Sequence, residues 1–197
     1  MKLILTLFAA LVHLTAFSFA QSTESAVQST FPHNFNLAAL NTTLPNANTT
    51  GAPLVLGATG GVTVYTTSTW NSFPYGSLNT FALVNNALRG YLPDGTWAIN
   101  GTSVTQGGTL TWIASRMYGA PQEQNAVYSV VTPPESSGLP TLAAYDRADL
   151  WSLCPDKNGN YPQTRLVYDV ASIENPPSWL PFDPASCYGV VVNIVAV

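Results

Sequence analysis

Between residues 80 and 114 the chain alternates short apolar runs with turn-forming residues, and this pattern limits the fold more than any other feature of the sequence. The runs cover residues 80–84, 87–92, 96–99, 102–105 and 109–114. The breaks between them carry Asn-Asn, Pro-Asp-Gly, Asn-Gly and Gly-Gly, which tolerate a positive φ or preset a turn. Because a parallel crossover needs a dozen or more residues, strands this closely spaced must be antiparallel neighbours. The segment therefore predicts a β-meander.

The rest of the chain offers further short strands and almost no helix. Candidate strands lie at residues 35–40, 53–56, 62–66, 126–132, 139–145, 165–170 and 188–197. Only residues 146–153 have the composition of a helical turn or two, and the proline-rich residues 176–184 predict an extended loop. We therefore predict one all-β domain over residues 35–197. It is an antiparallel β-sandwich or a closed barrel that contains the meander, with a β-trefoil as the alternative.

The first twenty residues have the layout of a secretory signal peptide. Lys2 supplies a positive charge, residues 3–12 are largely apolar, and small residues precede a cleavage site that we place after Ala20. A membrane anchor is the weaker interpretation, because the apolar run is too short to span a bilayer. Residues 21–34, rich in Ser, Thr and Gln without periodicity, predict a flexible leader. The expected location is secreted, either extracellular or in a cell wall, with no membrane contact after cleavage.

Export predicts two kinds of covalent modification. Cys154 and Cys187 are the only cysteines, and in an oxidising compartment we expect them to form a disulfide. Glycosylation sequons begin at Asn41, Asn48 and Asn100. Any occupied sequon has to lie at the surface, because a glycan cannot be packed into a core. Asn100-Gly101 is also predicted to be a turn, which would place a glycan on a hairpin tip.

Composition excludes one large class of function. Charged residues make up only 8% of the chain, with six Lys and Arg against ten Asp and Glu and an isoelectric point near 4.8, whereas soluble domains average about 25% charged residues. So few basic residues rule out a nucleic-acid interface that neutralises phosphates. High apolar content also argues against intrinsic disorder, which needs the opposite combination.

The inventory of reactive side chains points away from catalysis. After signal cleavage His33 is the only histidine. A catalytic nucleophile therefore has no other histidine to act as its base, and a zinc site has no cluster of histidine ligands. No Gly-x-Ser-x-Gly motif is present. We predict no catalytic residue, no metal and no cofactor. Paired carboxylates could still support a secreted glycoside hydrolase, but the spacing of the acidic residues selects no pair, so this function is the second alternative.

Aromatic residues in loops are the one positive sign of a ligand. Trp97 and Trp112 alternate with small residues and are predicted to fill the core. Trp70 and Tyr75 instead lie in a loop rich in Gly, Pro and Ser, and Trp179 lies among prolines. Aromatic rings in such positions stack on sugar rings. These three residues are the candidate binding site of the first alternative function, a carbohydrate-binding module or lectin.

Two stretches of the chain carry a resemblance to known proteins. Residues 35–57, and the Leu-Trp-Ser-Leu-Cys-Pro run at 150–155 followed by Val-Tyr-Asp-Val and Cys-Tyr, resemble small secreted glycoproteins of basidiomycete fungi. The last third is distantly similar to the fungal phialide-type cell-wall proteins, and neither group brings a catalytic motif. The resemblance implies a fungal extracellular or wall-associated glycoprotein of unassigned activity. We accordingly predict a secreted, N-glycosylated, non-enzymatic extracellular or cell-wall-associated protein of unassigned activity, and cell-wall polysaccharide is its candidate partner. This is the first functional prediction.

Overall fold

The computed structural model describes residues 25–59, 61, 63–91, 97–114, 125–133, 138–157 and 162–197. Their strands are β1 (Ala26–Gln28), β2 (Phe35–Asn41), β3 (Ala52–Ala58), β4 (Val64–Thr69), β5 (Phe81–Val84), β6 (Ala87–Tyr91), β7 (Trp97–Gly101), β8 (Thr111–Ala114), β9 (Tyr128–Thr132), β10 (Thr141–Ala144), β11 (Trp151–Pro155), β12 (Thr164–Tyr168) and β13 (Tyr188–Ala196). Within these ranges helical structure is limited to 3₁₀ turns such as Val170–Ser172 and Pro184–Ser186, and there is no α-helix. The predicted signal peptide lies outside the described residues.

The strands close into an antiparallel barrel. A circuit of nine strands runs from β2 through β5, β6, β7, β8, β4, β12, β11 and β13 and back to β2. The closing contact pairs seven residues of β13 with β2, from Val190 opposite Asn41 to Ala196 opposite Phe35. Strand β3 bridges β2 and β4, while β10, β9 and β1 extend the sheet beyond β13. The predicted all-β class is confirmed, and of its alternatives the structure has the closed barrel.

Large aromatic side chains fill the barrel interior. The Trp112 ring lies 4.9 Å from the ring of Phe81, measured between centroids, and both side chains are fully buried. The indole nitrogen of Trp112 donates a 2.8 Å hydrogen bond to Oγ1 of Thr67 on β4, which leaves no polar atom of the ring unpaired. The predicted core position of Trp112 is therefore correct. The side chain of Trp97 is outside the described part of the structure.

The predicted meander is present as β5 to β8, but one of its turns is misplaced. Asn85 and Asn86 form the expected tight turn, with φ values of 49° and 62°. Asn100-Gly101, in contrast, belongs to β7, and Thr102 continues the pairing by donating its backbone N–H to the carbonyl of Thr111. Residues 102–105 form a loop rather than a strand. The prediction that Asn100 stands on a hairpin tip is wrong: its side chain is only 7% exposed.

Two further segments differ from the sequence predictions. Residues 146–153 contain no helical turn, because Tyr145 and Asp146 form a turn with φ values of 50° and 59° and β11 begins at Trp151. The segment expected to be a flexible leader contains β1, which pairs with residues 130–132 of β9. Its order comes from backbone hydrogen bonds, while its Ala and Val side chains are exposed. Such a strand needs no apolar periodicity, and the sequence shows none.

A disulfide fastens a proline-rich segment to the outside of the barrel. Cys154 at the end of β11 is bonded to Cys187 just before β13, with 33 residues of sequence separation, which confirms the predicted pair. The segment between Ile173 and Cys187, called the strap below, covers β11 and β12. Leu180 and Phe182 of the strap are buried against Cys154 and Val167 and form a second apolar cluster.

Replacing both cysteines, Cys154→Ala with Cys187→Ala, is expected to lower the free energy of unfolding by about 3–4 kcal/mol, because the bond closes a loop of this length in the unfolded chain. Urea unfolding of the two proteins measures the difference. Adding a reductant should bring the wild-type protein to the stability of the variant and leave the variant unchanged. Equal unfolding midpoints without reductant would contradict the prediction.

Candidate functional site

The strap presents Trp179 to solvent. A turn closed by the 3.0 Å hydrogen bond from Leu180 N to Pro177 O brings Trp179 outward, while the side chain of Leu180 is turned toward the barrel. Lys157 N donates to Pro181 O at 2.7 Å, and Phe182 makes a β-bridge with Asp156. Trp179 is 79% exposed although its neighbours are anchored. The ring is therefore held on a fixed backbone at the surface.

A groove of about 350 Å³ lies between the strap and the loop that connects β7 to β8. Ile173, Pro177, Trp179 and Leu180 form its apolar wall. The facing wall is residues 105–109, which contribute the hydroxyls of two threonines and the amide of Gln106. No charged side chain belongs to either wall. This strap groove combines an exposed aromatic face with neutral hydrogen-bonding groups.

Gly107 allows the loop to approach the strap closely, and Gly108 allows the loop to fold tightly on itself. Gly107 has a φ of +69°, and a Cβ at this position would lie 2.6 Å from Cγ1 of Ile173. A Cβ on Gly108 would lie 2.9 Å from the carbonyl oxygen of Thr105. The backbone N–H of Gly107 also donates a 2.8 Å hydrogen bond to the carbonyl of Tyr168. Position 107 thus requires glycine because of its positive φ and because a side chain has no space there.

Tyrosine hydroxyls support the same loop from the barrel side. Tyr128 OH donates to the carbonyl of Thr102, and Tyr145 OH donates to the carbonyl of Val104 at 2.8 Å. Burial raises the pKa of Tyr128 well above its usual value, with a smaller contribution from Tyr145. Burial, reinforced by Asp169, also raises the pKa of Tyr168. The backbone that leads into the polar wall of the groove is therefore held by the hydroxyls of Tyr128 and Tyr145.

Trp70 and Tyr75 occupy a different surface. They are 50% and 78% exposed in the loop after β4, where the ring of Phe73 makes an edge contact with Tyr75 at 5.9 Å. Ser72 fixes this loop, because its hydroxyl accepts the backbone N–H of Thr164. Neither Trp70 nor Tyr75 lines the strap groove. The three aromatic residues singled out from sequence are thus not one site, and of the three it is Trp179 that lines the strap groove.

The described aspartates serve the fold. Asp156 is paired with Arg165 at 2.6 Å and is almost fully buried. The Arg147 guanidinium donates to Asp149 and holds the pKa of that carboxyl below its usual range, and Asp183 accepts the backbone N–H of Ala185. The acidic residues Asp94, Glu123 and Glu135 lie outside the described residues. In the described ranges no three His, Cys, Asp or Glu residues are grouped so that they could hold a metal ion.

Sequence reasoning missed the polar wall of the strap groove. Thr105 and Gln106 had no distinguishing pattern, and Gly107-Gly108 was interpreted only as a hairpin turn. The one available signal was the combination of that glycine pair with a proline-rich segment. It does not reveal that the two segments meet, because about seventy residues separate them in the chain. The loop and the strap come into contact only in the folded protein, where both lie over β12.

No family model, no curated protein and no solved structure matches this chain. Among the helical turns of the described residues, none is long and apolar enough to cross a membrane. The resemblance to secreted fungal glycoproteins stays a prediction.

Alkaline pH is expected to destabilise the protein through Tyr128. Its raised pKa means that the folded state holds the phenol proton more tightly than the unfolded state. The resulting stability is complete below the unfolded tyrosine pKa of about 10 and is lost as the pH rises through the folded value. Urea unfolding between pH 8 and pH 11 measures this loss. Tyr128→Phe should start from a lower stability, because the Thr102 carbonyl loses its donor, and should decline less steeply; parallel profiles would contradict the assignment.

Proposed function

We propose that this protein is a secreted, N-glycosylated, non-enzymatic protein that binds neutral sugar chains of the extracellular space or cell wall through the strap groove. The observation that carries the proposal is the position of Trp179. Trp179 is 79% exposed on an anchored strap, and it lines the same groove as Thr105, Gln106 and Thr109. The resemblance to secreted fungal glycoproteins and the disulfide, which suits an oxidising compartment, support the same location.

An exposed tryptophan of this kind is costly to leave in water. Burying apolar surface stabilises a protein by about 25 cal/mol per Å², and the neighbouring Leu180 and Phe182 do bury theirs. A sugar ring has one apolar face, which stacks on an aromatic ring, and hydroxyls at its edge that hydrogen-bond to amides and alcohols. Trp179 and Gln106 supply these two kinds of contact on opposite walls of one groove.

The electrostatics of the groove define the class of sugar. Its lining has no cation that would pair with a carboxylate, sulfate or phosphate, and the whole chain has a formal charge of −4. An acidic polysaccharide would therefore be repelled over the surface without a compensating contact in the site. The ligand class favoured by the groove is a neutral polysaccharide.

The disulfide prepares the site for binding. Ordering a mobile loop on association costs about 0.5–1.5 kcal/mol for each side chain that is immobilised. The strap is already fixed by the Cys154–Cys187 bond and by the Lys157–Pro181 hydrogen bond. A ligand that stacks on Trp179 consequently does not have to order the backbone of the strap.

A glycoside hydrolase is not the function that we propose. Glycoside hydrolysis needs two carboxyl groups about 5–10 Å apart across a cleft. The strap groove has no carboxylate in its lining. Asp156 beneath the strap is paired with Arg165, and Asp183 within the strap accepts the backbone N–H of Ala185. The geometry supports binding without cleavage.

Trp179→Ala is expected to weaken binding of neutral wall polysaccharides by about 2 kcal/mol, which corresponds to roughly 30-fold in Kd, as for a central aromatic contact. Affinity electrophoresis or calorimetry with soluble β-glucan, mannan and chitin oligosaccharides measures the change. Trp70→Ala and Tyr75→Ala are matched controls, because they remove exposed aromatics outside the groove and should leave Kd unchanged.

Two results would contradict the proposed site. If Trp70→Ala or Tyr75→Ala abolished binding while Trp179→Ala did not, the ligand would bind the loop after β4 instead. If no neutral polysaccharide bound the wild-type protein at all, the sugar-binding function would be refuted. A folded state for each variant is verified by its unfolding midpoint in urea.

A further inference from the structure

A second groove, of about 320 Å³, lies against the loop that connects β2 to β3. Pro45 and Pro53 lie at its rim, and Leu153 and Tyr188 contribute apolar surface from the neighbouring strands. Asn41 and Asn48, the first residues of two sequons, line the same groove. We call it the sequon groove. Its lining has no charged side chain.

Both sequon asparagines are held in one orientation by their carbonyl oxygens. Oδ1 of Asn41 accepts the backbone N–H groups of Thr43 and Leu44 at 2.8 and 2.9 Å. Oδ1 of Asn48 accepts those of Thr50 and Gly51 at 3.0 and 2.7 Å. Within the described residues no hydrogen bond engages Nδ2 of either asparagine, and Nδ2 is the atom that carries an N-linked sugar.

Neighbouring asparagines behave differently. Asn46, which is not part of a sequon, donates from Nδ2 to the carbonyl of Asn41 at 2.8 Å and serves as a loop staple. Asn100 belongs to a sequon but is buried in β7, where a glycan has no room. The fold therefore leaves Asn41 and Asn48 as the two sequons that it presents outward.

Asn48 is the better placed of the two. It is exposed in the loop, whereas Asn41 is half-buried at the end of β2 and its Oδ1 also accepts the Thr43 hydroxyl. Gly51, which donates to Asn48, has a φ of +104°, and a Cβ there would lie 2.4 Å from the carbonyl oxygen of Ala39. Glycine at position 51 therefore lets the loop lie close against β2, and the hydrogen bond from Gly51 N–H holds the side chain of Asn48.

We propose that the sequon groove is occupied by the first sugars of an N-glycan on Asn48, which pack against the ring of Tyr188. The inference rests on the secretion and glycosylation in the proposed function. Attachment joins Nδ2 to the anomeric carbon of a lipid diphosphate-linked oligosaccharide; the amide loses a proton and the lipid diphosphate leaves. Because Asn48 itself lines the groove, a glycan attached to this residue begins at the groove. Its packing covers apolar surface that the polypeptide leaves open.

The test uses the full chain secreted from a glycosylating eukaryotic host. Intact mass and peptide mapping report the occupancy of each sequon. Thermal unfolding before and after enzymatic removal of N-glycans from the folded protein reports the packing. We expect wild-type protein to carry a glycan on Asn48 and to lose about 2–4 °C in Tm when it is removed, the shift that corresponds to one modest packing contact in a domain of this size.

Matched variants separate the glycan from the polypeptide. Thr50→Ala destroys the sequon while Asn48 keeps both backbone hydrogen bonds, so glycan and Tm shift should both be absent; Thr50→Ser keeps the sequon and should retain both. Thr43→Ala removes only the Asn41 sequon and should leave the shift unchanged. Tyr188→Leu should keep the glycan and lose the shift, and Tyr188→Phe should keep both.

Each contrary result has a distinct meaning. An occupied Asn48 with an equal Tm shift in wild type and Tyr188→Leu would refute the packing and leave the proposed function intact. A shift lost in Thr43→Ala but kept in Thr50→Ala would overturn the assignment to Asn48. Absence of any glycan would refute both this inference and the glycosylation in the proposed function, while sugar binding by Trp179 would still be tested independently.

Discussion

The pairing of β13 with β2 is the contact on which the rest of the structure depends. Seven consecutive residue pairs join β13 to β2, the first strand of the barrel, and close the circuit of nine strands. The same strand β13 begins one residue after Cys187, which connects barrel closure to the strap, and Tyr188 at its start lines the sequon groove. The positions of the strap groove and the sequon groove therefore both depend on the pairing of β13 with β2.

Local patterns predicted the class of fold because they depend on local physics. Asn85-Asn86 forms a turn, as expected of residues that tolerate positive φ. Asn100-Gly101 has an equally strong turn signal but stays extended, since Gly101 packs against Leu88 and the following Thr102 bonds to Thr111. The difference between the two pairs lies in tertiary contacts, which a single sequence does not display. For the same reason the pattern left sandwich and barrel unresolved: closure is a property of β2 and β13, about 150 residues apart.

The candidate sites, too, combine features that the local sequence predicts with features that only tertiary contacts create. Exposure of Trp70, Tyr75 and Trp179 followed from their Gly- and Pro-rich surroundings, and all three side chains are exposed. What makes one of them a site is the wall opposite it, and Gln106 acquires that role only through the close approach of Gly107 to Ile173. Composition can thus nominate an aromatic residue, whereas the partners that would recognise a ligand arise from folding.

The low charge of the chain has a structural cause in the way this barrel satisfies its polar groups. Strand β4 has buried hydroxyl side chains on both faces: Thr67 accepts from Trp112, and Ser68 donates to Gln163, which itself donates to the carbonyl of Ala58. Hydroxyls and amides fill such positions without the desolvation penalty of an ion. Arg165 and Asp156, whose side chains are 18% and 4% exposed, are paired with each other at 2.6 Å. The contacts of Thr67, Ser68 and Gln163 therefore join neighbouring segments of the barrel without placing an ion in its interior.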